Sequence, residues 1–345
     1  MNQSPLAQAH QDNNANFGVI DGIDVILDYG DPTKEEADAR AGAGLIDLVQ
    51  AHTFTLDGPD ARRFANGMFT NNIRRLQPGE GNRSAMCDDR GRVQGLLDVY
   101  CTDSDRFEGV LEGVTADWFE QRYEMYIVFD DVEMTVSAES PWVLSLQGPQ
   151  AGAFLTKAGL PTPSDAGHHV LTDDGIRVAN KDRSGLGGFD IIVSSDQIVS
   201  VAERLVSAGA QWMGHHALEA LRISAGRARW PIDGGEKTMV HELAINEEVC
   251  NFNKGCYLGQ EVINRIDVKG QVNKRLSLIV VDTPTEIPVG SVVKLEGSKV
   301  GIVSSTAQSA GKGVALAVLW KTAWEDGTKI QVETENGTVD GSVAG

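Results

Sequence analysis

Apolar residues recur at helical spacing in four places along the chain. Ala61, Phe64, Ala65 and Met68 follow the i, i+3, i+4, i+7 pattern, as do Ala151, Phe154, Leu155 and Ala158, and both runs come just after Gly-Pro. The second stops at Gly159, a natural left-handed cap, with Pro161 beyond it. A third helix is predicted through Ile198, Val201, Ala202 and Leu205 to Gly209, and a fourth through Leu218 and Leu221 to Gly226. Between them, alternating or β-branched runs predict strands over 53–56, 96–101, 106–111, 142–146 and 189–193. The clusters Asp88-Asp89-Arg90-Gly91 and Ser184-Gly185-Leu186-Gly187-Gly188 read as turns. Beyond about residue 273 the pattern changes to short strands with Gly-containing turns, over 278–281, 292–295, 300–303 and 314–319, which fits a small antiparallel barrel or sandwich. The class is α+β.

A chain of 345 residues exceeds what one core usually organises, so two or three domains are expected. Apolar residues make up 41% and charged residues 23%, which is globular composition. Residues 1–16 are polar and amide-rich, without the basic start or apolar core of a secretory signal, and read as a loose tail. No window holds the eighteen apolar residues of a membrane span, and a soluble, cytoplasmic protein is expected. Cys87, Cys101, Cys250 and Cys256 show no C-x-x-C spacing and read as free thiols, too irregularly placed for a permanent cluster. In a reducing compartment the acceptor triplets at Asn82 and Asn336 carry no meaning.

A formal charge of −19 argues against an extensive nucleic-acid surface and leaves room for a small anionic ligand. Cations are dense in one region, from Arg222, Arg227 and Arg229 to Lys274 and Arg275, where a solvated face is the plain reading. No metal site is expected: His241-Glu242 lacks the second histidine of a zincin, and the pairs His168-His169 and His215-His216 place neighbours on different faces. Ser184 to Gly188 falls short of a dinucleotide fingerprint.

The most informative string is Lys254-Gly255-Cys256-Tyr257-Leu258-Gly259-Gln260-Glu261. A thiol two residues after a cation, just before a segment that could begin a helix, is placed to be a thiolate, although packing as a small side chain is the commoner fate of such a cysteine. This string resembles the signature of the YgfZ family, folate-binding relatives of the glycine-cleavage T-protein. The resemblance continues in Gly44-Leu45-Ile46-Asp47-Leu48, Gly58 to Phe64, Leu146-Gln147-Gly148-Pro149, 217–226 and 290–303.

The resemblance implies a three-domain fold around a central folate cavity, with a C-terminal antiparallel β-barrel. It divides the chain into a flexible tail (1–16), the first part of a folate-binding domain (17–140), a ferredoxin-like α+β domain (141–235), a segment completing the folate region (236–273) and the barrel (274–345). It implies tetrahydrofolate or a one-carbon derivative as cofactor. A pterin edge of N–H donors wants a carboxylate and the glutamate tail wants arginine. Asp190 stands where the family places the pterin acid, and Arg222 where it places the tail cation; the alternatives are a hairpin end for Asp190 and pairing with Glu219 for Arg222. Glu242, Tyr257, Gln260 and Glu261 join the expected folate-binding set.

The T-protein needs an acid beside the reacting nitrogen. Here Gly95 and Leu96 stand where its aspartate pair would be, and Asp98 lies on the same face but roughly 6–7 Å along the strand. The resemblance therefore implies a folate-dependent factor for iron–sulfur cluster assembly or repair, with indirect effects on tRNA modification. In that role Cys256 is the reactive group, Lys254 its electrostatic activator and Cys87 a second thiol, with iron–sulfur assembly proteins or cluster enzymes as partners. Aminomethyl or other one-carbon transfer is the alternative.

Overall fold

A computed structural model describes every residue except 1–3, 21, 22, 50, 138–140, 271, 282, 283, 285, 286, 336 and 345. Asn336 and the first three residues of the expected tail thus lie outside the described residues. Two large sheets, a two-stranded sheet of Asn16–Ile20 and Ile23–Asp28, and a barrel carry the fold among the described residues, in keeping with the expected α+β class and its antiparallel C-terminal barrel.

The first sheet is antiparallel, in the order Gly81–Cys87, Val93–Asp103, Arg106–Glu112, His52–Asp57, Glu133–Ser137. One face is covered by the helices Ala61–Met68 and Ala116–Glu124, and Phe54, Phe64, Phe69, Phe119 and Tyr123 fill the space between. Alternation along Val93–Asp103 sends Leu97, Val99 and Cys101 into that aromatic core. It leaves Leu96, Asp98 and Tyr100 on the opposite face, toward the centre of the molecule.

The second sheet runs His169–Leu171, Arg177–Asn180, Gly188–Val193, Trp142–Gln147, Gly44–Asp47, Gln211–Trp212, and only its last pairing is parallel. The helices Ala151–Lys157 and Ile198–Ala208 bury their apolar stripes against it, which is the physical content of the helical spacing in both segments. The Gly44–Asp47 strand comes from the first hundred residues yet pairs with Trp142–Gln147, placing Leu45 opposite Leu146.

The barrel closes in the order Lys274–Val281, Lys312–Trp320, Ser298–Ser309, Val292–Leu295, Lys329–Thr334, Gly337–Ala344, with the last strand pairing back onto Leu278 to Val280. The helix His215–Ser224 packs between the barrel and the sheets. The segment leading to the barrel lies on the first sheet: the Val93 amide donates to the Thr238 carbonyl at 2.9 Å, and Arg92 forms an isolated bridge with Met239.

The expectation of a loose tail over 1–16 is corrected for its described residues, from Ser4 onward. Residues Ala7–Asp12 form a helix, Leu6 and His10 are fully buried, and a strand starts at Asn16. The reason is a polar anchor that composition does not display. Asp47, at the end of its strand, accepts Ser4 Oγ at 2.5 Å and lies 3.0 Å from His10 Nε2, while the Tyr29 hydroxyl is 2.9 Å from His10 Nδ1. Trp212 stands edge-on to the imidazole at 5.1 Å. Asp47→Ala is expected to cost about 2 kcal/mol in denaturant unfolding, because buried hydrogen bonds to a charged group are lost. Hydrogen exchange of residues 6–12 should then lose its protection while the barrel keeps its own.

Candidate functional site

A cavity of about 360 Å³ opens at the centre, between the end of Arg106–Glu112, the turn carrying Lys181 to Arg183, the helix His215–Ser224 and the loop from Arg227 to Ile232. Its walls mix flat and aliphatic surface, from Leu48, Val110, Val114, Leu218 and Trp230, with charge. Gly113 lets the chain turn here at φ +75°, and a Cβ on it would meet the Trp230 ring at 2.5 Å. Six cations (Arg83, Lys181, Arg183, Arg222, Arg227 and Arg229) line the cavity against three acids (Glu112, Asp182 and Glu219). Four further acids, Asp98, Asp190, Asp233 and Glu248, pair with these cations from behind the wall, so what a ligand meets depends on how each cation is held.

The cations are not equally free. Arg222 spends all five N–H groups inside the protein: Nε on Glu219 at 2.7 Å, Nη1 on Asp233 at 2.8 Å and the Arg227 carbonyl at 3.0 Å, Nη2 on Glu219 at 2.5 Å and Ser305 at 2.8 Å. It lines the cavity, but as the brace joining helix to barrel, and the pairing with Glu219 is the alternative read from sequence. Arg229 is held more loosely, 3.2 Å from Glu219 and 3.2 Å from His215 Nε2, and its Nε has no partner among the described residues. Burial holds His215 neutral, lowering its pKa to about 4; Glu219 opposes the shift, and Arg229 adds to it.

Asp190 does not reach the cavity lining. It is fully buried, takes Arg183 through two nitrogens (Nε at 3.0 Å, Nη2 at 2.6 Å) and accepts Ser145 Oγ at 2.7 Å. Its carboxylate serves to hold Arg183 at the wall. Asp98 behaves similarly, accepting Lys181 Nζ at 2.6 Å. The acid that does line the cavity, Glu112, was not singled out in the sequence. It is the last residue of its strand, paired with Arg83 Nη2 at 2.7 Å. Burial opposes its ionisation, but Arg83, Lys181 and Arg183 outweigh burial and hold its pKa down at about 2.

The Lys254–Glu261 string lies elsewhere: none of its residues, nor Glu242, lines this cavity. Lys254 is buried and donates Nζ to the Phe69 carbonyl at 2.6 Å and the Asn71 carbonyl at 2.5 Å, with the Tyr257 ring 5.0 Å beneath it. Burial lowers its pKa to about 7. The expected role as activator of Cys256 is therefore corrected: the amine clamps the loop to the first sheet. Leu258 N donates to the Gly67 carbonyl at 3.0 Å. Gly259 (φ +82°) sits so close to the 88–91 turn that a Cβ would meet the Asp88 carbonyl oxygen at 2.5 Å. Between these anchors Cys256 is exposed. Cys87 is the reverse, 1% exposed with its thiol pKa pushed well up by burial, so a second reactive thiol there is not what the fold provides. Tyr257 is buried with an unpartnered hydroxyl, Gln260 and Glu261 open the helix Gln260–Lys269, and Glu242 accepts the Met239 amide at 3.0 Å.

Residues 6–254 match the GCVT N-terminal domain family. The chain belongs to this family. Curated relatives are similar to it over nearly the whole length: an aminomethyltransferase of Herpetosiphon aurantiacus is 24% identical over 96% of this chain and 94% of its own, and one of Ralstonia pickettii is 28% identical over 96% and 93%. The fold is that of the glycine cleavage system aminomethyltransferase T of Bartonella henselae, with a TM-score of 0.90, 24% identity and coverage of 99% of this chain and 96% of that one. Among the described residues no helix is long and apolar enough to cross a membrane.

Two outcomes are expected. Under native conditions iodoacetamide should modify Cys256 first, with Cys87 and Cys250 reacting only on unfolding, as read by peptide mass spectrometry. His215 binds its proton less well folded than unfolded, so the unfolded state takes up more protons between pH 6.5 and 4 and stability falls as pH drops through that window. His215→Gln should remove a share of that fall on the order of 2 kcal/mol in urea midpoints compared at pH 7 and pH 4.

Proposed function

We propose that this chain binds a reduced folate in its central cavity and acts on a one-carbon or aminomethyl unit carried there, as its relatives' name suggests. The carrying observation is the cavity itself: apolar walls with Trp230 for a flat ring system, and arginines with part of their surface open for a carboxylate tail. Arg229, a quarter exposed in its side chain, and Arg227, a third exposed, are the cations best able to receive that tail. The full-length likeness to aminomethyltransferases supports the transferase reading over the others.

A second reading keeps its own support. The exposed Cys256, held between the Lys254 clamp and Gly259, suits a YgfZ-type factor that uses a thiol in iron–sulfur cluster assembly or repair, with indirect effects on tRNA modification and with assembly proteins or cluster enzymes as partners. In either case the cofactor is tetrahydrofolate or a one-carbon derivative, and the compartment is the cytoplasm.

Calorimetric titration with tetrahydrofolate should give saturable heat, weakened at least tenfold in Arg229→Ala; no heat at about 1 mM ligand, a weak-binding limit, removes both readings. Folate-dependent ammonia release from an aminomethylated lipoyl carrier protein, unaffected by Cys256→Ser, supports transfer. Loss of cluster-enzyme activity in cells carrying Cys256→Ser, without ammonia release, supports the thiol-dependent factor instead.

A further inference from the structure

Three carboxylates line the cavity, and two are used up. Glu219 gives both oxygens to Arg222. Asp182 gives Oδ2 to Arg227 at 2.6 Å and Oδ1 to the Gly185 amide at 2.7 Å and the Ser184 amide at 3.1 Å. Glu112 differs. Its Oε2 takes Arg83, no hydrogen bond from the described residues reaches Oε1, and the side chain keeps 19% of its surface open. Among the described lining residues it is the carboxylate with an oxygen to offer a ligand.

Its place in the sheet gives that oxygen a meaning. Leu96 and Glu112 are directly opposite in the ladder between Val93–Asp103 and Arg106–Glu112, so their side chains leave the same face about 4.5–5.5 Å apart. Asp98, two residues along, stands on that face too, but opposite Val110 and tied to Lys181. Gly95 points the other way, where a Cβ would meet the Met86 methyl carbon at 2.6 Å. At this level of the sheet the chain puts a fully buried leucine at position 96 and, directly opposite on the same face, the glutamate at position 112 that lines the cavity.

We infer that Glu112 supplies, from the neighbouring strand, the carboxylate that faces the nitrogen of the bound reduced pterin that receives the one-carbon unit. This rests on the proposed folate reading and deepens it. Arg83, Lys181 and Arg183 keep Glu112 ionised at neutral pH. It therefore accepts an N–H hydrogen bond and stabilises positive charge on the carbon–nitrogen unit, and donates no proton. Arg83 holds it in place, with Nη1 in turn 3.2 Å from both carboxylate oxygens of Glu248.

The test is tetrahydrofolate titration of the full chain by calorimetry, with thermal unfolding of each variant. Glu112→Gln, which keeps shape and loses charge, should weaken binding at least tenfold. Glu112→Leu should do the same, and the transplant Leu96→Asp/Glu112→Leu, which returns a carboxylate to the same face directly across from position 112, should recover binding to within about threefold of the parent. A role confined to bracing Arg83 would lower Tm in Glu112→Gln and leave Kd within twofold, and that result overturns the inference. So does a transplant that binds no better than Glu112→Leu. If the parent chain itself binds no tetrahydrofolate, the folate reading fails first and this inference falls with it.

Discussion

The centre of this molecule is organised by the need to pair buried cations. Removing one partner of a buried ion pair costs roughly 3–5 kcal/mol, because the survivor is left charged and unsolvated. A chain with 49 acidic residues against 30 Lys and Arg has ample partners, and the fold draws them in from every side. Asp98 comes from the first sheet to Lys181, Asp190 from the second to Arg183, and Asp233 and Ser305 from the connecting loop and the barrel to Arg222. These contacts join the sheets and the barrel as surely as their apolar cores fill them. What the pairing leaves over is the useful part: the partly exposed side chains of Arg227 and Arg229, one open carboxylate oxygen and an indole wall around a common space.

The cysteine string has a different physical logic from the one its spacing suggests. A lysine beside a thiol is an activator only if its charge reaches the sulfur, and here the amine is taken inward by two backbone carbonyls. The same clamp, with Gly259 against the 88–91 turn, fixes the loop so that Cys256 projects to solvent. The displayed thiol and the central cavity are thus separate parts of the fold.

Much of the architecture was legible because it rests on local period. The stripe Phe64, Ala65, Met68 and the run Ile198 to Leu205 could bury themselves in only one way, and the helices Ala61–Met68 and Ile198–Ala208 follow. Contacts between distant segments were less visible. The docked helix Ala7–Asp12 depends on Asp47, far along the chain, and amide-rich composition hides it. Asp190 and Arg222 stand out by motif, and Glu219 as a partner of Arg222, but Arg183, Asp233 and Ser305 do not, and it is the partners that decide whether a charge is available to a ligand. Glu112 was missed because its significance comes from strand register: alternation reveals which face a residue takes, and only pairing reveals which residue stands beside Leu96. A charged residue closing an alternating strand just before a glycine was the available signal.

The most direct measurement is a crystal structure of the chain soaked with tetrahydrofolate or its stable 5-formyl derivative. A pterin ring against Trp230 with a ring or bridge nitrogen within hydrogen-bond distance of Glu112, and the tail carboxylates on Arg227 or Arg229, is the predicted result. Density at the Cys256 loop with the central cavity holding only solvent would contradict it.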